Sequence, residues 1–286
     1  MPDGPLVSTL VALWVALVGL CVGSFLNVVI ARVPAGQSVV RPRSRCPRCG
    51  KPIRWYDNLP VVSWIVLRAR CRDCGAPISI RYPVVELLGA TAALGALWHR
   101  GPTLEALAEF TFVALLLALS AIDLDTWLLP HALTWPLLGL GLLAAAAGIA
   151  PAPTFASAAW GAGVGFGLFA AVAVIGKWLA GREAMGFGDV WLLGGLGAWL
   201  GVASLLPVIL LASIQGALVG IALLALGRAQ TGVRPASQAP SSRDDDWVPP
   251  RNAVPFGPFL ALGALEWLYL GPLLARAVPA LEIFRG

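Results

Sequence analysis

Two pairs of thiols carry the clearest chemical signal in the chain. Cys46-Pro-Arg-Cys49 and Cys71-Arg-Asp-Cys74 are Cys-x-x-Cys knuckles separated by 21 residues. Each knuckle puts two thiolates on one tight turn, and two such turns supply four soft ligands at tetrahedral geometry, the donor set of Zn²⁺. Gly50 and Gly75 follow the second cysteine of each knuckle. Glycine there tolerates the turn and lets backbone N–H groups approach sulfur. Disulfides or free thiols are the competing readings; a reducing cytoplasmic loop disfavours the former. Four sulfurs leave no open position for catalysis, so the expected role is structural, a staple for a loop of about 50 residues whose core is too small to fold alone. The fifth cysteine, Cys21, lies in an apolar run and reads as a small packing residue.

Acids in or beside apolar segments are the second signal, because ionisable groups are costly there. They are Glu86, Glu105, Glu109, Asp123, Asp125, Asp189 and Glu266. Glu105 and Glu109 open an apolar run and read as solvated at an interface. Asp123 and Asp125 end the same run, in Ala121-Ile-Asp-Leu-Asp-Thr-Trp-Leu-Leu-Pro130, and Asp189 opens another, in Met185-Gly-Phe-Gly-Asp189. Two carboxyls sharing a poorly solvated site do not easily both ionise. One keeps its proton, and the pair can serve as acid and base on one water, the requirement of an aspartic protease. Gly186 and Gly188 would let a substrate strand approach Asp189. Helix N-capping by Asp189 and proton-coupled transport are the rival readings of these acids.

The elements that must position these groups are membrane helices. The chain has 286 residues, 58% hydrophobic and 12% charged, with mean hydropathy +0.80. Repeated apolar runs of about 20 residues mean spans. The run Leu6–Ile30 is too long for a signal peptide and lacks a basic start, so it is expected to be the first span. Further runs lie near 83–99, 104–122, 132–150, 155–180 and 256–274; the stretch 190–227 is long enough for a hairpin broken at Gly201 and Pro207. The expected fold is an all-α polytopic membrane protein of about eight spans. It divides into a first helix (1–31), a zinc-binding cytoplasmic domain (32–82) and a membrane domain (83–286) with a flexible loop at about 229–252. A net charge of +5 could suggest nucleic acid, but 11 of the 20 Lys and Arg lie between Arg32 and Arg81, opposed only by Asp57 and Asp73. That clustering predicts a cytoplasmic loop by the positive-inside rule, with the lipid bilayer and not nucleic acid as partner. Alternation then puts 123–131, 177–189 and 228–255 on the same side, so Asp123 and Asp189 lie at similar depth. Loops 177–189 and 228–255 hold Lys177, Arg182, Arg228, Arg234, Arg243 and Arg251.

Taken together and in order, several segments resemble the bacterial type IV prepilin peptidases, Gly-x-Gly-Asp aspartic proteases of the inner membrane. The matching pieces are Gly23-Ser-Phe-Leu-Asn-Val-Val-Ile-Ala-Arg-Val-Pro34, both knuckles, Trp55-Tyr-Asp-Asn-Leu-Pro-Val-Val-Ser-Trp64, Ile78-Ser-Ile-Arg-Tyr-Pro-Val-Val-Glu86, the Asp123 segment, Gly186-Phe-Gly-Asp189 and Pro255-Phe-Gly-Pro-Phe-Leu260. The resemblance implies cleavage of the basic leader of prepilins or pseudopilins after a glycine, on the cytoplasmic side. It also implies methylation of the new N-terminus from S-adenosylmethionine, in the service of type IV pili or type II secretion. It maps the catalytic pair to Asp189 and Asp123, with Asp125 the alternative to Asp123, and methyl transfer to the 32–82 region. Asp57, Asn58, Arg81 and Glu86 are the nominated cofactor contacts there, each with a loop hydrogen bond or interfacial charge pair as its plainer explanation. Asn27, inside the first span, reads equally as a helix-packing hydrogen bond. Two positions depart from the family pattern: His131 stands where an acid or amide is usual, and Trp191 where lysine is frequent. A membrane transporter and a zinc-stabilised scaffold of a secretion assembly are the competing functions.

Overall fold

The computed structural model describes residues 5–180, 185–226, 254–277 and 283–284. The expected loop at 229–252 and Arg182, Arg228, Arg234, Arg243 and Arg251 lie outside the described residues. The helices in chain order are α1 (Pro5–Arg32), α2 (Val62–Val66), α3 (Arg81–Arg100), α4 (Leu104–Thr126), α5 (His131–Ala146), α6 (Phe155–Ala180), α7 (Phe187–Leu200), α8 (Leu205–Ala225) and α9 (Gly257–Ala277). No strand forms among the described residues; isolated bridges join Arg45 to Pro52 and Arg70 to Pro77.

Among the described residues five helices, α1, α4, α6, α8 and α9, are long and apolar enough to cross a membrane. The runs near 132–150 and 190–200 give shorter apolar helices, α5 and α7, of 16 and 14 residues. At 1.5 Å per residue these are about 24 and 21 Å long, less than the ~30 Å of a hydrocarbon core. The hairpin expected in 190–227 breaks at Gly201, whose φ of 86° only glycine adopts without strain. Pro207 sits in the first turn of α8, where its missing N–H costs no helical bond.

Small residues let these helices approach closely, the packing mode of membrane bundles. α1 and α3 cross at Gly19, Gly23 and Gly89: a Cβ on Gly89 would lie 2.5 Å from the Gly19 carbonyl oxygen. α6 and α7 cross at Gly161 and Gly197, where a Cβ on Gly197 would lie 2.1 Å from the Gly161 carbonyl oxygen. The core between α4, α5, α7 and α9 is filled by Phe112, Leu116, Leu137, Leu193, Trp199 and Leu260. Trp199 stacks on Phe112 with ring centroids 5.1 Å apart, and its indole N–H donates to the Leu137 carbonyl at 2.7 Å.

Two assignments for span residues are corrected. Cys21 is exposed on α1 rather than packed. Glu109 is not solvated at an interface. It is wholly buried, and its carboxylate accepts a hydrogen bond from Arg100 Nε at 2.9 Å and pairs with His99 Nδ1 at 2.8 Å. Burial is tolerated because both partners come from the last turn of α3. Glu105, by contrast, is half exposed beside Arg100.

The α6–α7 contact makes a prediction. Gly197→Ala must separate two backbones and is expected to cost about 1–3 kcal/mol, read as a lower thermal midpoint in detergent. Gly220→Ala, where a Cβ meets open space, leaves the midpoint unchanged.

Candidate active site and metal centre

The last turn of α4 carries Asp123 and Asp125, and the helix stops at Trp127, whose left-handed backbone (φ 58°) turns the chain toward Pro130. Residues two apart on a helix do not share a face, and the two aspartates part company accordingly. Asp123 is 5% exposed. Its Oδ2 accepts the backbone N–H of Gly257, the first residue of α9, at 3.1 Å. Asp125 faces outward and forms an ion pair with Arg81 at the start of α3.

Asp189 is the third residue of α7, so it is not the helix N-cap; that position falls to Gly186. Its neighbour Gly188 borders Leu129, and so does Gly257, which holds Asp123, so both aspartates belong to one end of the bundle. Leu129 bridges the two halves of the site. A Cβ on Gly188 would lie 2.7 Å from Leu129 Cβ, and one on Gly257 would lie 3.4 Å from Leu129 Cδ1. The two glycines of Gly186-Phe-Gly-Asp189 therefore differ in role. Gly188 gives Leu129 the space where its own side chain would stand. At Gly186 only the Asp189 carboxylate lies within 4 Å of an added Cβ.

His131 and Trp191, the two departures from the family pattern, meet beside this site with ring centroids 5.8 Å apart. His131 stacks on Trp135 at 5.5 Å, and Trp191 meets Phe166 edge-on at 4.9 Å. The contact between these two positions is aromatic.

The two knuckles fold alike. Cys46 N–H donates to the Lys51 carbonyl and Gly50 N–H to the Cys46 carbonyl; Cys71 N–H donates to Ala76 and Gly75 N–H to Cys71 in the same way. Gly50 and Gly75 both have positive φ, 70° and 68°. The four sulfurs lie within 4.8 Å of one another, with Cys46 and Cys74 Sγ 3.8 Å apart. A tetrahedral centre with Zn–S near 2.3 Å sets its sulfurs about 3.8 Å apart, so the donor set fits zinc. Backbone hydrogen bonds from Cys49 and then Arg48 pull the Cys46 thiol down to about 6. For Cys74 the Ala76 backbone contact favours the thiolate, but desolvation and the neighbouring sulfurs outweigh it and push the thiol up to about 11. Crowded sulfurs that resist ionising together are stabilised by a cation among them.

Between this module and the helices lies a cavity of about 780 Å³, lined among others by Asn27, Cys46, Asp57, Asn58, Cys71 and Glu86. Asp57 is also held by Arg72 through a two-pronged pair, at 2.6 and 2.9 Å, which keeps its carboxyl below the usual range. Glu86 is buried and its Oε2 accepts the Val61 N–H at 2.7 Å. Asn27 donates to the Tyr82 carbonyl at 3.1 Å, the helix-packing bond. Arg81, nominated with Asp57, Asn58 and Glu86, lies outside the cavity lining and is engaged with Asp125 instead. Sequence reasoning missed Gly257: Pro255-Phe-Gly-Pro is visible in the chain, but nothing in it says that its glycine N–H faces an aspartate 134 residues away.

Two buried or half-buried aspartates at one end of a helical membrane bundle, with a four-cysteine module on the same chain, fit a polytopic membrane peptidase. The chain belongs to the type IV leader peptidase family. Residues 110–221 match the family of that description, and residues 17–100 match the bacterial peptidase A24 N-terminal domain. It is 44% identical to the prepilin leader peptidase/N-methyltransferase of Myxococcus xanthus over 95% of this chain and 93% of that protein. The proteins of the same name from Stutzerimonas stutzeri and Pseudomonas aeruginosa are 38% and 39% identical, over 93% and 88% of this chain and 93% and 88% of their own lengths. No solved structure matches the chain significantly.

The metal centre is open to direct measurement. The purified protein is expected to hold about one zinc ion per chain, and Cys71→Ser to lose it and expose 32–82 to limited proteolysis. A zinc-free, protease-resistant native protein would refute the assignment.

Proposed function

We propose that this chain cleaves the leader peptide of type IV prepilins or pseudopilins after a glycine and N-methylates the residue exposed, with Asp123 and Asp189 as the proteolytic pair. The observation that supports the reading is the convergence of two acid-bearing helix ends on Leu129, with Asp123 held by the Gly257 N–H and Asp189 on the first turn of α7. One carboxyl holds a proton while the other, ionised, takes a proton from water. The hydroxyl formed attacks the scissile carbonyl carbon, and the protonated partner hydrogen-bonds the developing oxyanion. Collapse of the tetrahedral intermediate passes a proton to the leaving amine, releasing a leader carboxylate and a new N-terminus.

Methyl transfer falls to the 32–82 region in this reading, beside the membrane domain of 83–286. S-adenosylmethionine would supply an electrophilic methyl group, and the cavity lined by Asp57, Asn58 and Glu86 has room for such a molecule. Asn27 and Glu86 come from α1 and α3, so the cavity floor reaches into the bundle. A new amine at the membrane edge can enter it without leaving the bilayer surface. Zinc holds the module in shape and takes no part in bond cleavage. The basic charge of 32–82 supports a cytoplasmic module of an inner-membrane enzyme. Arg81 contacts Asp125, which supports the same side for the aspartate pair. Substrates would come from a type IV pilus or type II secretion assembly.

The test is cleavage of a prepilin peptide by purified protein, with and without S-adenosylmethionine. Asp189→Asn and Asp123→Asn are each expected to lower kcat by about 10²–10⁴-fold. Asp125→Asn, which breaks only a part-exposed ion pair, stays within about fivefold of the parent. Cleavage retained in Asp189→Asn would sink the assignment. Gly257→Ala sets a Cβ 2.6 Å from Asp123 Oδ2 and should cost about 10²-fold in kcat by displacing that carboxylate, with zinc content unchanged.

A further inference from the structure

The five-residue helix α2 divides sharply into two faces. Ser63 is buried and its hydroxyl donates to the Tyr56 carbonyl at 3.0 Å. Trp64 Nε1 donates to the Ile78 carbonyl at 3.2 Å, and Leu67, just beyond, lines the cavity with both. Val62, Ile65 and Val66, at i, i+3 and i+4, form the other face and are 55%, 63% and 67% exposed. Trp55, Leu59 and Ile80 of the same module are exposed as well. An accumulation of exposed apolar side chains of this kind marks an interaction site.

The depth of α2 identifies what it meets. The N–H of Val61, its N-cap, donates to Glu86, more than a turn inside α3. At that level Gly23 of α1 packs on the Glu86 backbone, a Cβ there lying 2.6 Å from Glu86 Cα. Gly23 precedes the end of α1 by nine residues, about 13 Å along a helix. The start of α2 therefore lies beside the final turns of a membrane-crossing helix, not above them. At the same level α3 exposes Tyr82, Val84, Leu87 and Leu88, so α2 and the bundle both present apolar side chains at this depth. Charge agrees. Both acids of the module are already paired, Asp73 with Lys51 and Asp57 with Arg72. Arg68 and Arg70, directly after α2, are exposed.

We propose that α2 is an interfacial anchor: Val62, Ile65 and Val66 insert at the headgroup–acyl boundary of an anionic leaflet, and Arg68 and Arg70 meet its lipid phosphates. This arrangement buries the aliphatic face in lipid and leaves the cationic heads at the polar surface, as interfacial helices and snorkelling arginines do. It also fixes the mouth of the module's cavity at the bilayer surface.

Photo-crosslinking tests this in the full chain. The variants Ile65→p-benzoylphenylalanine and Val66→p-benzoylphenylalanine, with Lys51→p-benzoylphenylalanine as control, are placed in nanodiscs of phosphatidylethanolamine and phosphatidylglycerol and irradiated; zinc content reports that each is folded. Intact-phospholipid adducts by mass are expected at 65 and 66 in at least about tenfold excess over 51. In the Ile65 variant, adding Arg68→Gln and Arg70→Gln lowers the yield in these discs but not in phosphatidylcholine discs. Absence of lipid adducts at 65 and 66, or adducts only to a second copy of the chain or to added prepilin peptide, would overturn the anchor. A yield indifferent to both arginines in the anionic discs would overturn its selectivity for anionic lipid.

Discussion

A carboxylate in a membrane helix needs a donor that does not bring water with it. For Asp123 that donor is the Gly257 N–H, free because it opens α9 and has no earlier helical carbonyl to bond. The bond does more than solvate an acid. It docks the start of α9 against the end of α4, and Leu129, threaded between Gly257 and Gly188, holds the first turn of α7 to the same point. Three helices that are far apart in sequence are thereby fixed around two carboxyls. Gly257 must be glycine for a steric reason, since any side chain would occupy the space of the carboxylate it serves.

The cysteine module is tied to the bundle by the same kind of economy. Its contact with the helices uses a buried acid of α3, since Glu86 takes the Val61 N–H, and beneath it Asn27 of α1 donates to Tyr82 of α3. The close passage of α1 and α3 at Gly19, Gly23 and Gly89 sets the base on which the module rests. Its two knuckles, near copies in backbone bonding, need only four sulfurs to define their separation. The Arg81–Asp125 pair then links the module's exit into α3 with the segment that carries Asp123.

Much of this was legible in the chain. Apolar runs locate the long helices, Gly201 marks the break before α8, and the knuckle spacing announces the metal site. These signals are local and depend on composition or on residues a few positions apart. What escaped is what depends on meeting. The lengths of α5 and α7 depend on where Ala147 and Gly201 end them, and hydropathy does not register that. The depth of Glu109, solvated by expectation, depends on His99 and Arg100 folding back over it. Asp123 and Asp125 look equivalent in sequence and differ only in the face they present. The role of Gly188 requires knowing that Leu129 lies against it.

The brevity of α5 has a consequence for the lipid around it. A helix of about 24 Å in a hydrocarbon layer of ~30 Å leaves a mismatch of about 6 Å, and α5 exposes Trp135, Leu140 and Leu143 on its outer face. Bilayers meet such a deficit by thinning, drawing headgroups and their water inward. α5 begins at His131, on the side where Asp189 and the segment after Asp123 lie, so a thinned patch would sit beside the two carboxyls. Hydrolysis consumes a water molecule for every bond broken, and in the proposed reaction a locally thinned membrane would supply it to a peptide bond held at the bilayer surface. A substrate would then not have to be pulled out into the aqueous phase.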